Sequence, residues 1–286
     1  MTYSIVARDP ETGDLGVAVQ THQPAVGAIV PWVKAGVGAV ATQSFANINF
    51  GPQVLGLLEA GLDARAALTA VIAADTMPAR RQLAVISAGG QTATHTGDDC
   101  IPFAGHRAGE NYSVQANMML TDRVPTAMAV AFESSHGPLA VRLMRALEAA
   151  QGEGGDIRGS QSAAILVRAP GPLSHTWDLR IDNDPAPLAK LAELIKIRLA
   201  GELVTPLDGP SPDIAAFLLA YDEADELAGS DEQTFWFAVR GLSPHGEAER
   251  AAALLEPLFA RAPQWKELLF RLAMPEAEPL KARFTR

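Results

Sequence analysis

Thr2 follows Met1 directly. An initiator methionine is commonly removed when the next side chain is small, and removal would put a hydroxyl and a free α-amine on one residue. Such an amine titrates near ~8, low enough to act as a base on its own hydroxyl close to neutral pH. That combination is a self-activated nucleophile for an amide carbonyl. Threonine after methionine is also common and usually inert, so its surroundings must carry the reading. Gln20-Thr21-His22-Gln23 ends one strand-like segment and Thr42-Gln43-Ser44 ends another, with Asn47 and Asn49 beyond. Amides and hydroxyls gathered at strand ends supply oxyanion donors or hold an amide substrate. The same residue types also cap strand ends and satisfy turn backbones. His22, Gln43, Asn47 and Asn117 are the candidate groups for polarising or positioning a substrate.

Lys34 lies between two strand-like segments, where its charge would lower the pKa of a nearby amine or hydroxyl. Its plainer role is a solvated loop lysine. The stretch Gly154-Gly155-Asp156-Ile157-Arg158-Gly159-Ser160-Gln161-Ser162 is denser in function. There Arg158 would clamp a substrate carboxylate and Asp156 would orient it, or the two would pair and close a turn. The six histidines, His22, His95, His106, His136, His175 and His245, show no metal-ligand spacing, and Cys100 stands alone. No phosphate-binding glycine loop or nucleophile elbow is present, so neither a cofactor nor a metal is expected.

These residues need rigid elements beneath them. Thr2–Arg8 and Leu15–Thr21 read as a hairpin across Asp9–Asp14. Gly27–Trp32 and Gly36–Ser44 follow as short strands whose small side chains suit burial on both faces. Leucine and valine at helical spacing after Pro52 stop at Gly61, and Asp63 caps a second helix over Ala64–Ala74. Gln82–Ser87 and Thr92–Thr96 make another hairpin across Ala88–Gln91. Pro125–Gln151 reads as a helical layer broken near His136-Gly137-Pro138. Ser162–Val167 and Thr176–Ile181 are later strands, and Ala186–Ala200 is an amphipathic helix. Runs of strands separated by runs of helices predict an α+β sandwich of sheets covered by helices, not an alternating doubly wound fold.

At 286 residues, with 48% hydrophobic and 20% charged side chains, the chain is long enough for two domains with buried cores. Pro- and Gly-rich residues 203–212 read as a linker between a domain over 1–202 and a helical one over 213–286. Helices are expected at Asp213–Ala228, Asp231–Leu242, Gly246–Ala260 and Pro263–Ala273. Pro206–Arg286 carries 14 acidic and 8 basic residues, within a whole-chain net charge of -10. That balance argues against nucleic-acid binding. No apolar stretch approaches the ~20 residues of a membrane span, and no leader pattern opens the chain, so a cytoplasmic location is expected.

Several of these segments together resemble the domain of unknown function 1028 family. The likeness runs through Thr2–Gly13, Gly16–Gln20, Pro31-Trp32, Ala35–Gln43 and His95-Thr96-Gly97. It continues at Gly105-His106, Asn117-Met118, Ala149-Ala150-Gln151 and Gly155–Ala164. The resemblance implies a four-layer αββα sandwich of N-terminal-nucleophile hydrolase type, as in proteasome β-subunits. Amide hydrolysis by an N-terminal residue, here Thr2, comes with that fold. Lys34 falls at an offset similar to the lysine that follows the nucleophilic threonine in the proteasome branch. The tail is similar to a peptidoglycan-binding segment often found after this domain. Phe235–Ala238, Glu247–Ala260 and Pro263–Leu268 also look like a helix-pair repeat. An intramolecular cap or a contact between copies in a homo-oligomer fits the tail better than cell-wall binding.

The leading reading is an amidohydrolase acting on a small or peptide-like amide, with Thr2 as nucleophile. Two others stand beside it: a non-catalytic small-ligand-binding protein on the same fold, and an interaction protein that uses its helical tail.

Overall fold

The computed structural model describes residues 2–171, 176–203, 223, 226 and 229–284. The helix expected over 213–228, apart from Glu223 and Glu226, and all but the first residue of the expected linker lie outside them. The chain divides into two compact units, Met1–Ala192 and Glu193–Arg286.

In the first unit, strands β1 (Thr2–Arg8) and β2 (Leu15–Thr21) form the expected hairpin. Its turn is closed by Asp9, whose Oδ1 accepts the Glu11 N–H at 2.9 Å, and by Gly13 at φ 79°. β1 and β2 are the two central strands of an antiparallel six-stranded sheet. Beyond β2 come β9 (Ser162–Arg168) and β10 (Thr176–Ile181); beyond β1 come β8 (Tyr112–Asn117) and β7 (Gly105–Gly109). A second antiparallel sheet orders β3 (Pro31–Lys34), β4 (Gly38–Ser44), β5 (Arg81–Ser87) and β6 (Thr92–Thr96).

Two sequence readings need correction. Gly27–Trp32 is not a strand: Val26–Ala28 is a single 3-10 turn, and pairing starts only at Pro31. The β7–β8 hairpin is not foreseen at all. β7 is an edge strand with no apolar alternation, and β8 turns Ser113, Gln115 and Asn117 inward, where the alternation rule looks for apolar side chains.

Helices α1 (Phe50–Glu59) and α2 (Ala64–Ala73) cover the outer face of the four-stranded sheet. Val54, Leu55, Leu58, Ala67, Leu68 and Val71 pack there on Val40, Leu83 and Val85. Asp63 caps α2 as its sequence requires, accepting the Ala66 N–H at 2.7 Å. The helical layer over 125–151 is broken where expected, into α3 (Val124–Ser134) and α4 (Leu139–Gly152). α4 crosses β1, β2 and β9, and α3 lies on β7 and β8. The other faces of the two sheets meet through Val6, Leu15, Val17 and Val19 against Ala39, Ala41, Ala84 and Ile86. Buried Val and Leu side chains of this kind each contribute roughly 1.5–3 kcal/mol, and the facing alanines let the sheets approach. Helix α5 (Pro187–Leu203) follows β10.

In the second unit the described residues are helical apart from short connections. α6 (Asp231–Trp236) starts at a capping box of Ser230 and Gln233 and runs on as a π-helical turn over Phe237–Leu242. α7 (Ala248–Arg261), α8 (Gln264–Arg271) and α9 (Glu278–Lys281) follow. They share a core of Phe235, Phe237, Leu242, Leu255, Leu258 and Leu269. Among the described residues no helix is long and apolar enough to cross a membrane.

One close helix-to-sheet contact falls on β2, the strand that carries Thr21. A Cβ at Gly16 would sit 2.8 Å from Leu143 Cδ1 and 3.0 Å from Val167 Cγ2. Gly16→Val is expected to destabilise the first unit by about 1–3 kcal/mol through overpacking under α4. Urea denaturation followed by circular dichroism measures it, and an unchanged midpoint would show that α4 can shift.

Candidate functional site

Strand polarity brings one set of ends together: the start of β1, the ends of β2, β4 and β8, and the start of β5. Side chains alternate along a strand, so Thr2, Ser4 and Val6 share the face that looks at the second sheet. The cross-strand partners of these three on β8 are Asn117, Gln115 and Ser113. Opposite them, Gln43 on β4 pairs with Gln82 on β5. The inter-sheet space is thus apolar in one half and amide-rich in the other.

The amides satisfy one another in a single direction. Ser113 Oγ donates to Gln115 Oε1 at 3.2 Å, and Gln115 Nε2 donates to Ser4 Oγ at 2.6 Å. Ser4 then donates to Gln43 Oε1 at 2.6 Å, and Gln43 Nε2 to Gln82 Oε1 at 2.7 Å. Gln82 Nε2 donates to Ala116 O at 2.9 Å and to Thr96 Oγ1 at 3.0 Å. Thr96 Oγ1 lies 2.9 Å from His106 Nδ1. The Thr96 oxygen can accept from Gln82 and still give its own proton to His106 Nδ1, an arrangement that uses a neutral imidazole with Nδ1 unprotonated. Burial, and then the neighbouring His95, lower the pKa of His106 and favour that neutral form.

Thr2 sits at the head of this seam, 4% exposed. Its hydroxyl donates to Thr21 Oγ1 at 3.2 Å. Its backbone oxygen receives Gln43 Nε2 at 3.2 Å and Asn117 Nδ2 at 3.4 Å. Asn117 Nδ2 also donates to Gln82 Oε1 at 2.8 Å. Backbone strain clusters here too: Ser44 (φ 66°) follows Gln43 and Met118 (φ 57°) follows Asn117, two non-glycine residues in the left-handed region. Arg81 holds the first of these turns. It donates to Phe45 O while its Nε binds Asp75 Oδ2 at 2.7 Å, and that bond keeps the Asp75 carboxyl below its usual range.

Gln43 and Asn117 are therefore brought onto Thr2, while other residues singled out in the sequence lie elsewhere. Lys34 is on the surface at the far end of β4, opposite Gly38, with Nζ 2.6 Å from Glu59 Oε1. Gly38 is five residues from Gln43, or about 16 Å along a strand. Asn47 spends its Oδ1 on the Asn49 N–H at 3.1 Å, closing its own turn. Asp156, 2% exposed, binds Arg158 through both carboxylate oxygens, at 3.0 Å to Nε and 2.7 Å to Nη2. It also accepts the His22 backbone N–H at 3.1 Å, so the Asp–Arg pair ties the turn to the end of β2. Tyr3, on the opposite face from Thr2, has its phenol pushed far up by burial and then by Asp156; it stays protonated and donates to Gln151 Oε1 at 3.0 Å. Among the described residues no group of three His, Cys, Asp or Glu could hold a metal ion.

Ser4, Gln82, Gln115, Thr96 and His106 are not among the site residues chosen from the sequence. Polar residues at every second position of Thr2-Tyr3-Ser4 and of Ser113–Asn117 are the pattern that would have found Ser4 and Gln115. An inward polar alternation normally reads as an outward one.

Mixed helices and antiparallel sheets with a polar seam at the head of β1 describe a class, and sequence comparison supplies the family. The chain belongs to the family of unknown function DUF1028, which matches residues 2–191. It is similar to the crystal structure of protein SPO2555 of Silicibacter pomeroyi, described under the same family. That pair shares 34% identity over 68% of this chain and 84% of the other, with a TM-score of 0.64. A more remote likeness is to Anbu, the ancestral β-subunit of Yersinia bercovieri, at 12% identity over 73% of this chain and 100% of the other, with a TM-score of 0.35. No curated protein matches the chain.

Two outcomes are expected of the seam. Gln82→Leu strips the acceptor from two buried amide groups and a donor from Ala116 O. It should cost on the order of 3 kcal/mol in urea denaturation, and a loss under about 1 kcal/mol would mean the seam is not coupled. For His106 the folded pKa lies below the unfolded value of about 6.5. The unfolded chain therefore binds the proton first, so this contribution to stability is full above that pH and is lost as pH falls through the folded pKa. Part of the stability difference between pH 7.5 and pH 5 should vanish in His106→Phe, and an identical difference in both proteins would remove the coupling.

Proposed function

We propose that residues 2–191 are a four-layer αββα sandwich of N-terminal-nucleophile hydrolase type, and that the protein hydrolyses a small or peptide-like amide with Thr2 as nucleophile. The observation that carries this is the way Thr2 is held. It heads a central strand, its hydroxyl is bonded to Thr21, and two side-chain amides on two sheets converge on its backbone oxygen. A nucleophile works best when its position is fixed by neighbours that are themselves fixed, and each of these amides is tied to Gln82.

With Met1 removed, Thr2 Oγ would add to the substrate carbonyl carbon while its proton passes, through water, to the α-amine of Thr2. The tetrahedral intermediate would collapse with loss of the substrate amine, which takes that proton back. Water would then cleave the threonyl ester by the reverse route and release the acid. Lys34 has no part in this scheme, because its ammonium is held by Glu59 at the other end of β4.

A second reading is favoured by the burial of the seam. Thr2 is 4% exposed and Gln43, Gln82 and Gln115 are tied into one chain of hydrogen bonds, which suits a rigid wall for a bound ligand as well as an enzyme.

Intact-mass analysis of untagged protein after exposure to a hydroxyl-reactive β-lactone separates the two. The hydrolase reading expects loss of Met1 and one adduct mapping to Thr2. Thr2→Ala should then lower turnover of any amide substrate by a factor on the order of 10⁴. Retained Met1 with no adduct would leave the ligand-binding reading.

A further inference from the structure

The orphan in the amide seam is a single oxygen. Gln43 Oε1 accepts from Ser4, Gln82 Oε1 from both Gln43 and Asn117, and Gln115 Oε1 from Ser113. Asn117 Oδ1 is buried, on a residue 0% exposed, and has no donor among the described residues. A buried acceptor left without a donor is costly, so its persistence needs a reason.

Rotating the amide does not remove the problem. Gln82 Oε1 must receive donors, because Gln82 Nε2 is committed to Ala116 O, Gly105 O and Thr96. The Asn117 nitrogen therefore faces Gln82, and the oxygen is left on the other side of the carboxamide. That carboxamide lies at Thr2: the two residues are directly paired across β1 and β8, and Nδ2 reaches the Thr2 backbone oxygen at 3.4 Å. What the seam lacks is one N–H donor beside Thr2. Removal of Met1 creates such a donor there, since it turns a peptide N–H into an amine with additional hydrogens.

We infer that Asn117 Oδ1 is the acceptor for the α-amine of Thr2 after Met1 is removed, which makes Asn117 a positioning residue for the base. This rests on the proposed role of Thr2 and adds what orients its amine. An amine that gives one N–H to a fixed acceptor cannot rotate freely about its Cα–N bond, so its lone pair is held in one direction. Gln82 acts one step behind, by fixing which end of the Asn117 amide faces Thr2.

The test is the ionisation of the α-amine, read by NMR titration of Thr2 Cα in ¹³C-threonine-labelled full-length protein whose Met1 loss is confirmed by mass. Asn117→Asp puts an anion where the carbonyl was, stabilises the ammonium and should raise the amine pKa by about 1 unit or more. Asn117→Ala removes the acceptor and should lower it. Opposite shifts support the inference, because a merely structural disturbance has no reason to change sign with the charge at position 117. If the aspartate variant does not fold, Asn117→Ser joins Asn117→Ala, and both must lower the pKa. An unmoved titration with a lactone adduct still on Thr2 overturns the role of Asn117 and leaves the nucleophile standing. The predicted shifts without any adduct keep the amine contact and overturn the hydrolase reading. Retained Met1 overturns both.

Discussion

Everything at the candidate site depends on Gln82. Its carboxamide stands between two sheets and is bonded on both sides: its oxygen accepts from Gln43 and Asn117, and its two N–H groups are shared among Ala116 O, Gly105 O and Thr96. A primary amide is suited to this position because it donates twice and accepts twice in one plane. A carboxylate could not supply the donors, and an aliphatic side chain would strand its neighbours. In a buried setting such bonds polarise one another, and each partly satisfied member costs more than it would near water. The seam is accordingly either complete or destabilising, and this couples the position of Thr2 to groups as far away as His106.

The division of the inter-sheet space into two halves follows from strand polarity. The apolar half, from Val6 to Ile86, supplies the burial that brings the sheets together. The amide half uses the proximity so created. Alanines at positions 39, 41 and 84 set a short separation, within reach of a Gln on one sheet and a Ser or Asn on the other. Larger side chains in the apolar half would part the sheets and break the polar contacts. The Asp156–Arg158 pair and the Arg81–Asp75 pair hold the two turns that flank the site. The DUF1028 match over residues 2–191 spans nearly all of the first unit.

How much of this was legible differs by residue. Asp63 was readable as a cap because a side chain three residues from the amide it binds is a local matter. The β1–β2 hairpin was readable for the same reason, as were the break between α3 and α4 at Gly137 and the turn at Gly90, both with positive φ. Thr2, Gln43 and Asn117 were singled out as chemistry-bearing residues, and they do converge. Lys34 was singled out equally and lies at the other end of its strand, because spacing in sequence does not say which end of a hairpin faces a third strand. β8 stayed hidden because its inward face is polar, which inverts the pattern by which strands are recognised.

Sequence by itself determined the elements whose causes lie within a few residues: the caps, the tight turns, the helical faces and the polar character of the strand ends. It also determined the family, through motifs spread over the first two-thirds of the chain. Only the tertiary structure decided which polar residues meet. Gln43, Gln82 and Asn117 are separated by 39 residues at one bond and 35 at the next, and nothing local orients one amide toward another over that distance. Their geometry comes from the register of the antiparallel strands and the stacking of the sheets. Those are properties of the whole apolar interior, and that interior brings the amides to Thr2.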